Sequence, residues 1–221
     1  MDAFEQLFIH LDLQLNNIRL VPLSFEHEQG LAEACRDGEL WNLRITSTPH
    51  YTEVKNYIEK ALIQKAQGSR YPFVVIEQSS GKVLGTTSYH DILLNVKRFE
   101  IGYTWYAQSA QRTHVNTSCK LLLLGFAFEQ LQANTVALRT DQFNFKSQKA
   151  IERLGAKKDG IIRGDQMRKD GTIRDTVLYS IAQGEWNNVK AHLQDMLAHY
   201  KNNYFVELYS IQGHANAFEI I

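Results

Sequence analysis

The chain is predicted to fold as one mixed α/β domain. Three observations carry the prediction. Period-two apolar strands alternate with stretches of helical apolar spacing. No linker interrupts the alternation. The 221 residues are enough for a single well-cored domain, since domains usually run to ~100–200 residues.

The first strand is predicted over Ile18–Val21 and is punctuated by Pro22 and Ser24. A helix over Phe25–Cys35 and a second over Thr52–Ala66 follow, the latter capped by Thr52 and closed near Gly68. Tyr71–Glu77 and Val83–His90 form a hairpin through Ser79-Ser80-Gly81-Lys82, where glycine supplies the positive φ the turn requires. Phe99–Tyr106 is the next strand, with Phe99, Ile101, Tyr103 and Trp105 on one face and Glu100, Gly102, Thr104 and Tyr106 on the other. A Leu-rich helix runs over Asn116–Leu131, then a β-branched strand over Thr135–Thr140. Ser147–Leu154 is a short helix stopped by Gly155. A hairpin of Gly160–Lys169 and Thr172–Ala182 precedes a terminal helix over Glu185–Tyr200. In residues 202–221, alternation over Phe205–Tyr209 suggests either an edge strand or a tail, and a strand there could pair across a homodimer.

Composition excludes several function classes. Lys+Arg 24 balances Asp+Glu 24, so no net field draws the chain to nucleic acid or an anionic membrane. No apolar run approaches a bilayer span, and the first residues lack the basic region and cleavage site of a secretory signal. Two cysteines, Cys35 and Cys119, each within a predicted helix, fit a reducing compartment, and the cytoplasm is expected. His90-Asp91 and His114 lack metal-ligand spacing, so no metal site is expected. There is neither a Gly-x-Ser-x-Gly elbow nor a phosphate-binding Gly-x-x-x-x-Gly-Lys loop. Arg163, Arg168, Lys169 and Arg174, interleaved with Asp165, Asp170 and Asp175, read as a solvated surface, with a docking site for an acidic substrate or a 3′-phosphate as the alternative.

Residues 98–131 carry the most chemistry. The strand breaks into Gln111-Arg112-Thr113-His114-Val115-Asn116-Thr117, which opens directly into the apolar helix. N–H groups at a helix start have no intrahelical acceptor, and the macrodipole adds partial positive charge. A phosphate or pyrophosphate satisfies both.

At these residues the sequence resembles the GCN5-related N-acetyltransferases (GNAT superfamily), in particular the RimJ/RimL-like, ribosomal-protein-alanine-type branch. The family turn reads Gln/Arg-x-x-Gly-x-Gly/Ala; here it is Gln111-x-x-His114-x-Asn116, with both small positions substituted. A branch reading Gln-Arg-Thr-x-x-Asn-Thr before a Leu-rich helix fits this chain better. A side chain at position 114 must then point away from the ligand. A second constellation, Asn144, Ser147, Ala150 and Gly155, resembles the family's Asn-x-x-Ser-x-x-Ala…Gly signature. By resemblance, Asn144 holds the pantetheine arm or a water and Ser147 lies near the thiol. The plain reading makes Asn144 a turn residue and Ser147 a helix N-cap.

The resemblance covers about 16–182, within a domain of 1–200, and implies a mostly antiparallel twisted sheet flanked by helices. It implies acetyl-CoA as cosubstrate and direct attack by a primary amine, on a protein N-terminus or a small molecule, in a ternary complex. The strand before the turn splays from its neighbour, so Tyr103, Thr104 and Trp105 would grip the cosubstrate together with Gln111 to Thr117, Asn144 and Ser147. Glu100 matches the carboxylate that serves as base in relatives; its plain reading is a solvated strand residue or a partner of Arg98 or Lys97. Ser147, or a phenol at Tyr103 or Tyr106, would protonate the thiolate. The alternative is a non-catalytic acyl-CoA-binding or interaction protein on the same fold. No motif marks the acceptor groove around Leu40–Gly68, where Arg44, His50, Tyr51 and Tyr57 are candidate contacts.

Overall fold

A computed structural model describes residues 7–8 and 11–200. The expectations for the N-terminal six residues and for 202–221, including pairing across a dimer, lie outside the described residues. Eight strands form one sheet: β1 (Leu13–Leu15), β2 (Ile18–Pro22), β3 (Arg70–Glu77), β4 (Val83–Leu93), β5 (Arg98–Tyr106), β6 (Thr135–Asp141), β7 (Lys157–Met167) and β8 (Ile173–Ala182). Their order is β1-β2-β3-β4-β5-β6-β8-β7. Every pairing is antiparallel except β5 with β6. The helices are α1 (Glu28–Arg36), α2 (Val54–Ala66), α3 (Val115–Gly125), α4 (Phe145–Glu152) and α5 (Trp186–Ala198).

The predicted elements are all present, and β1 is added. It turns back onto β2 through Asn16 and Asn17, both at positive φ (49° and 65°), which the short asparagine side chains tolerate. The cap of α2 is also corrected: the His50 ring, not Thr52, accepts the N–H at the entry turn, that of Thr52 itself.

Two cores sit on opposite faces of the sheet. Tyr71, Phe73, Tyr89, Phe99 and Ile101 pack on one face under Leu121–Leu124 of α3 and under α5. Because α3 lies between sheet and helix it is apolar nearly all round, and after Gly125 it continues as a π-helical turn, Phe126–Gln130. On the other face Leu31, Ile58, Val74 and Trp105 pack against α1 and α2. Both cysteines are buried and free. Among the described residues no helix is long and apolar enough to cross a membrane.

Candidate active site

The site begins where β5 and β6 part. Their parallel pairing runs only over Arg98↔Thr135, Phe99↔Val136 and Glu100↔Ala137. Beyond Glu100 the strands diverge, so among the described residues the edge of β5 from Ile101 to Tyr106 has no ladder partner on that side. An unpaired strand edge inside a fold is a row of donors and acceptors ready for an extended ligand.

The period-two reading of β5 fails within this edge. Register against β4 slips between Thr86↔Trp105 and Ser88↔Gly102, and Tyr103 adopts φ 50°. This bulge reverses the facing of everything after it. Tyr103 and Trp105, expected on the face of Phe99 and Ile101, instead join Glu100. Tyr103 lies edge-on to His90, with ring centroids 5.0 Å apart, and Trp105 packs in the α1/α2 core. Thr104 goes to the α3 face, where it bonds Thr87 and receives Lys120 Nζ at 3.1 Å.

A buried polar row therefore crosses the sheet on the face away from α3. Glu100 is 0% exposed and takes Arg139 in a fork, with Nε–Oε1 2.5 Å and Nη2–Oε2 2.6 Å. The expected alternatives, a solvated residue or a partner for Arg98 or Lys97, are both replaced by this pair. Arg139 also holds Asp91. His90 lies between, with Nε2 3.5 Å from Glu100 and Nδ1 3.4 Å from Asp91. Burial draws its imidazole below the ordinary histidine range, outweighing the opposing pull of Glu100 and Asp91. The ring rests directly on β5: a Cβ at residue 102 would lie 2.2 Å from Nε2, so a side chain there would displace the ring. His90, Asp91 and Glu100 present ligand-type atoms within 4.8 Å of one another, and the guanidinium of Arg139 already bonds both carboxylates.

The far wall of this face corrects another expectation. Arg168, grouped in sequence with solvated charges, is buried against Asp141, with Nε–Oδ2 2.6 Å and Nη2–Oδ1 3.0 Å. Arg44 reaches Asp170 at 3.6 Å and Lys169 Nζ donates to the Thr48 carbonyl at 2.9 Å, tying the loop after α1 to the β7–β8 hairpin. Tyr57, from α2, joins the row through its hydroxyl.

At the other end of the splay lies the turn. Gln111 donates to the Tyr106 carbonyl and accepts from Lys146 Nζ, and Arg112 turns the chain at φ 62°. Thr113 caps the Val115 N–H at 3.3 Å, and the first intrahelical bond is Ser118 N–H to the His114 carbonyl. The N–H groups of Asn116 and Thr117 precede it and lack an intrahelical acceptor. The His114 ring turns to the Asn16 carbonyl at 3.2 Å, on the β1–β2 hairpin. Asn144 caps α4 by accepting the Ser147 N–H at 3.0 Å, so the capping role read from sequence belongs to Asn144 rather than Ser147.

Tyr106 is buried in the α3 core, and burial raises its phenol far above the usual range, away from the polar row. Lys120 is a residue the sequence reading missed. It is 5% exposed, and burial lowers its ammonium to about 8. A lone lysine inside a Leu-rich helix was the available signal. Arg139 and Arg70 were missed, and His90 was read only for metal-ligand spacing, because their partners lie on other strands and, for Arg70, also on α2.

Comparison with known proteins agrees with this geometry. A model of the acetyltransferase (GNAT) domain matches residues 17–157. A Bacillus subtilis (strain 168) protein with the provisional name ribosomal N-acetyltransferase YdaF is 33% identical over 110 residues, 50% of this chain; the matched stretch spans 59% of that relative. A GCN5-related N-acetyltransferase from Brucella melitensis superposes with TM-score 0.75 at 26% identity, covering 85% of each chain. Mycobacterium smegmatis RimJ, solved in complex with CoA-disulfide, shares the fold at TM-score 0.69 and 18% identity, covering 85% of this chain and 93% of that one. The splayed parallel pair, the helix N-terminus beside it and the domain match over most of the sheet together show that the chain belongs to the GNAT acetyltransferase family.

Proposed function

We propose that this protein is an acetyl-CoA-dependent N-acetyltransferase acting on a primary amine, on a protein N-terminus or a small molecule. The observation that carries the reading is the gap between β5 and β6, with a buried carboxylate at its vertex and the N-terminus of α3 beside it. Acetyl-CoA, when bound, supplies an acetyl group on a thiol leaving group. The N–H groups of Asn116 and Thr117, with Gln111, Arg112 and Thr113 of the turn, suit its pyrophosphate. His114 contributes backbone only, since its ring is engaged with the Asn16 carbonyl. The free edge of β5 around Tyr103, Thr104 and Trp105 suits an extended amide arm, and its N–H groups suit a developing oxyanion.

An amine attacks only when unprotonated, so the site needs a proton acceptor. Glu100 fills that role, directly or through a water. Arg139 aims the carboxylate through its two-point fork. His90 adds no second counter-charge beside Arg139, since burial disfavours its charged form. Ser147 on α4, or the Tyr103 phenol, returns a proton to the departing thiolate.

Calorimetric titration with acetyl-CoA, followed by an amine screen for thiol release, tests the reading. Binding in the micromolar range and turnover are expected, and no binding would leave an interaction role instead. Glu100→Gln should lower turnover by ~10²–10⁴-fold with acetyl-CoA affinity unchanged. Full turnover in that variant would remove Glu100 from the mechanism.

A further inference from the structure

Among the described residues, one buried cation beside this site has no carboxylate partner. Arg70, the first residue of β3, is 3% exposed. Its Nε donates to Ser88 Oγ at 2.8 Å, Nη1 to Gln64 Oε1 at 3.2 Å and Nη2 to the Tyr57 hydroxyl at 2.9 Å. All three acceptors are neutral. A guanidinium carries five N–H donors, so these bonds leave one on each terminal nitrogen. Among the described residues no carboxylate pairs with it, and the nearby acids Asp91 and Glu100 are both held by Arg139. Burying a charge without a partner is expensive, and neutral acceptors replace only part of its hydration.

Its position gives the charge a use. Arg70 lies opposite His90 in the β3–β4 register, and its guanidinium carbon sits 3.8 Å from the centroid of the Tyr103 ring. Tyr103 in turn meets His90, whose Nε2 faces Glu100. The cation is thus fixed on the face of the proton acceptor, in a planar fork whose two spare donors match the two oxygens of a carboxylate. We infer that Arg70 receives a carboxylate of the acceptor, which makes the acceptor a small amino acid whose amine and carboxylate are separated by a short chain. This rests on the acyl-transfer reading of the same site. A hydroxyl or amide in place of the carboxylate leaves the buried charge unmatched and binds more weakly.

The test is titration of the full chain, saturated with CoA, with N-acetyl derivatives of glycine, β-alanine, 4-aminobutyrate and 6-aminohexanoate, each as free acid and as carboxamide. At least one free acid should bind tenfold or more tightly than its amide. Arg70→Gln should bring that pair within twofold at unchanged CoA affinity, and Arg70→Lys, which keeps the charge without the fork, should fall between. Equal binding of acid and amide throughout the series in the unaltered protein would overturn the inference without any variant, as would an acid preference that survives Arg70→Gln. CoA binding with no acid preference leaves the acyl-transfer reading standing and removes only the carboxylate site. Loss of CoA binding in the unaltered protein would overturn both.

Discussion

The two faces of β4 and β5 are both buried and have opposite chemistry. Toward α3, Tyr89, Phe99 and Ile101 sit in an aromatic and aliphatic core. Toward α1 and α2, the same strands present Ser88, His90, Glu100 and Gly102, joined by Arg70 and Arg139 from the strands on either side. The first face gains stability simply by leaving water. The second takes charges out of water and must recover that cost through pairing, which at best breaks even. The polar face is thus held in fixed geometry at a cost in desolvation that the apolar face does not carry.

Breaking the apolar face gives the largest change in stability. Phe99→Ala, at a fully buried position, should cost ~3–5 kcal/mol, read as a lower denaturant midpoint. Arg139→Ala should cost nearly as much, ~3–5 kcal/mol, because it leaves the Glu100 carboxylate buried without its partner. The comparison sharpens in the double replacement Glu100→Leu with Arg139→Met. Its stability should return to within ~1 kcal/mol of the parent, while turnover stays lost. A double variant as unstable as Arg139→Ala alone would mean that the pair holds the fold together rather than serving the chemistry.

A smaller effect tests a charge buried within the α3 face. The Lys120 ammonium is lowered from 10.5 to about 8, chiefly by burial. Between those pH values the unfolded chain binds more protons than the folded one, so stability rises with pH from 8 to 10.5 and the penalty is fully present below 8. The shift corresponds to about 3 kcal/mol. Lys120→Met should therefore raise stability at pH 7 by up to that amount and flatten the rise, as chemical denaturation across the pH series would show. A parallel rise in both proteins would assign the pH dependence to other groups.

Much of this was legible in the sequence. The helix and strand periods, the Gly81 hairpin and the strand-turn-helix junction are local, and local pattern reports them. The three-residue β1 fell below any periodic signal, although Asn16-Asn17 was a usable turn mark. The Glu100–Arg139 pair joins residues 39 apart in sequence. Arg70 lies 18 residues from Ser88 and 6 from Gln64. Such partners become visible only once strand order is known.

By itself the sequence determined that a two-faced strand meets a helix start with unsatisfied N–H groups, because side-chain periodicity and the open first turn of a helix are properties of adjacent residues. Tertiary structure alone decided which side chains share a face with Glu100. A period-two pattern assumes an unbroken pleat, and the bulge at Tyr103 breaks it, carrying Tyr103 and Trp105 across the sheet and sending Thr104 toward Lys120. That bulge is a matter of register against β4, and the gap beside it exists because β6 pairs with only the first three residues of β5. Both are set by packing between strands, which no single strand encodes.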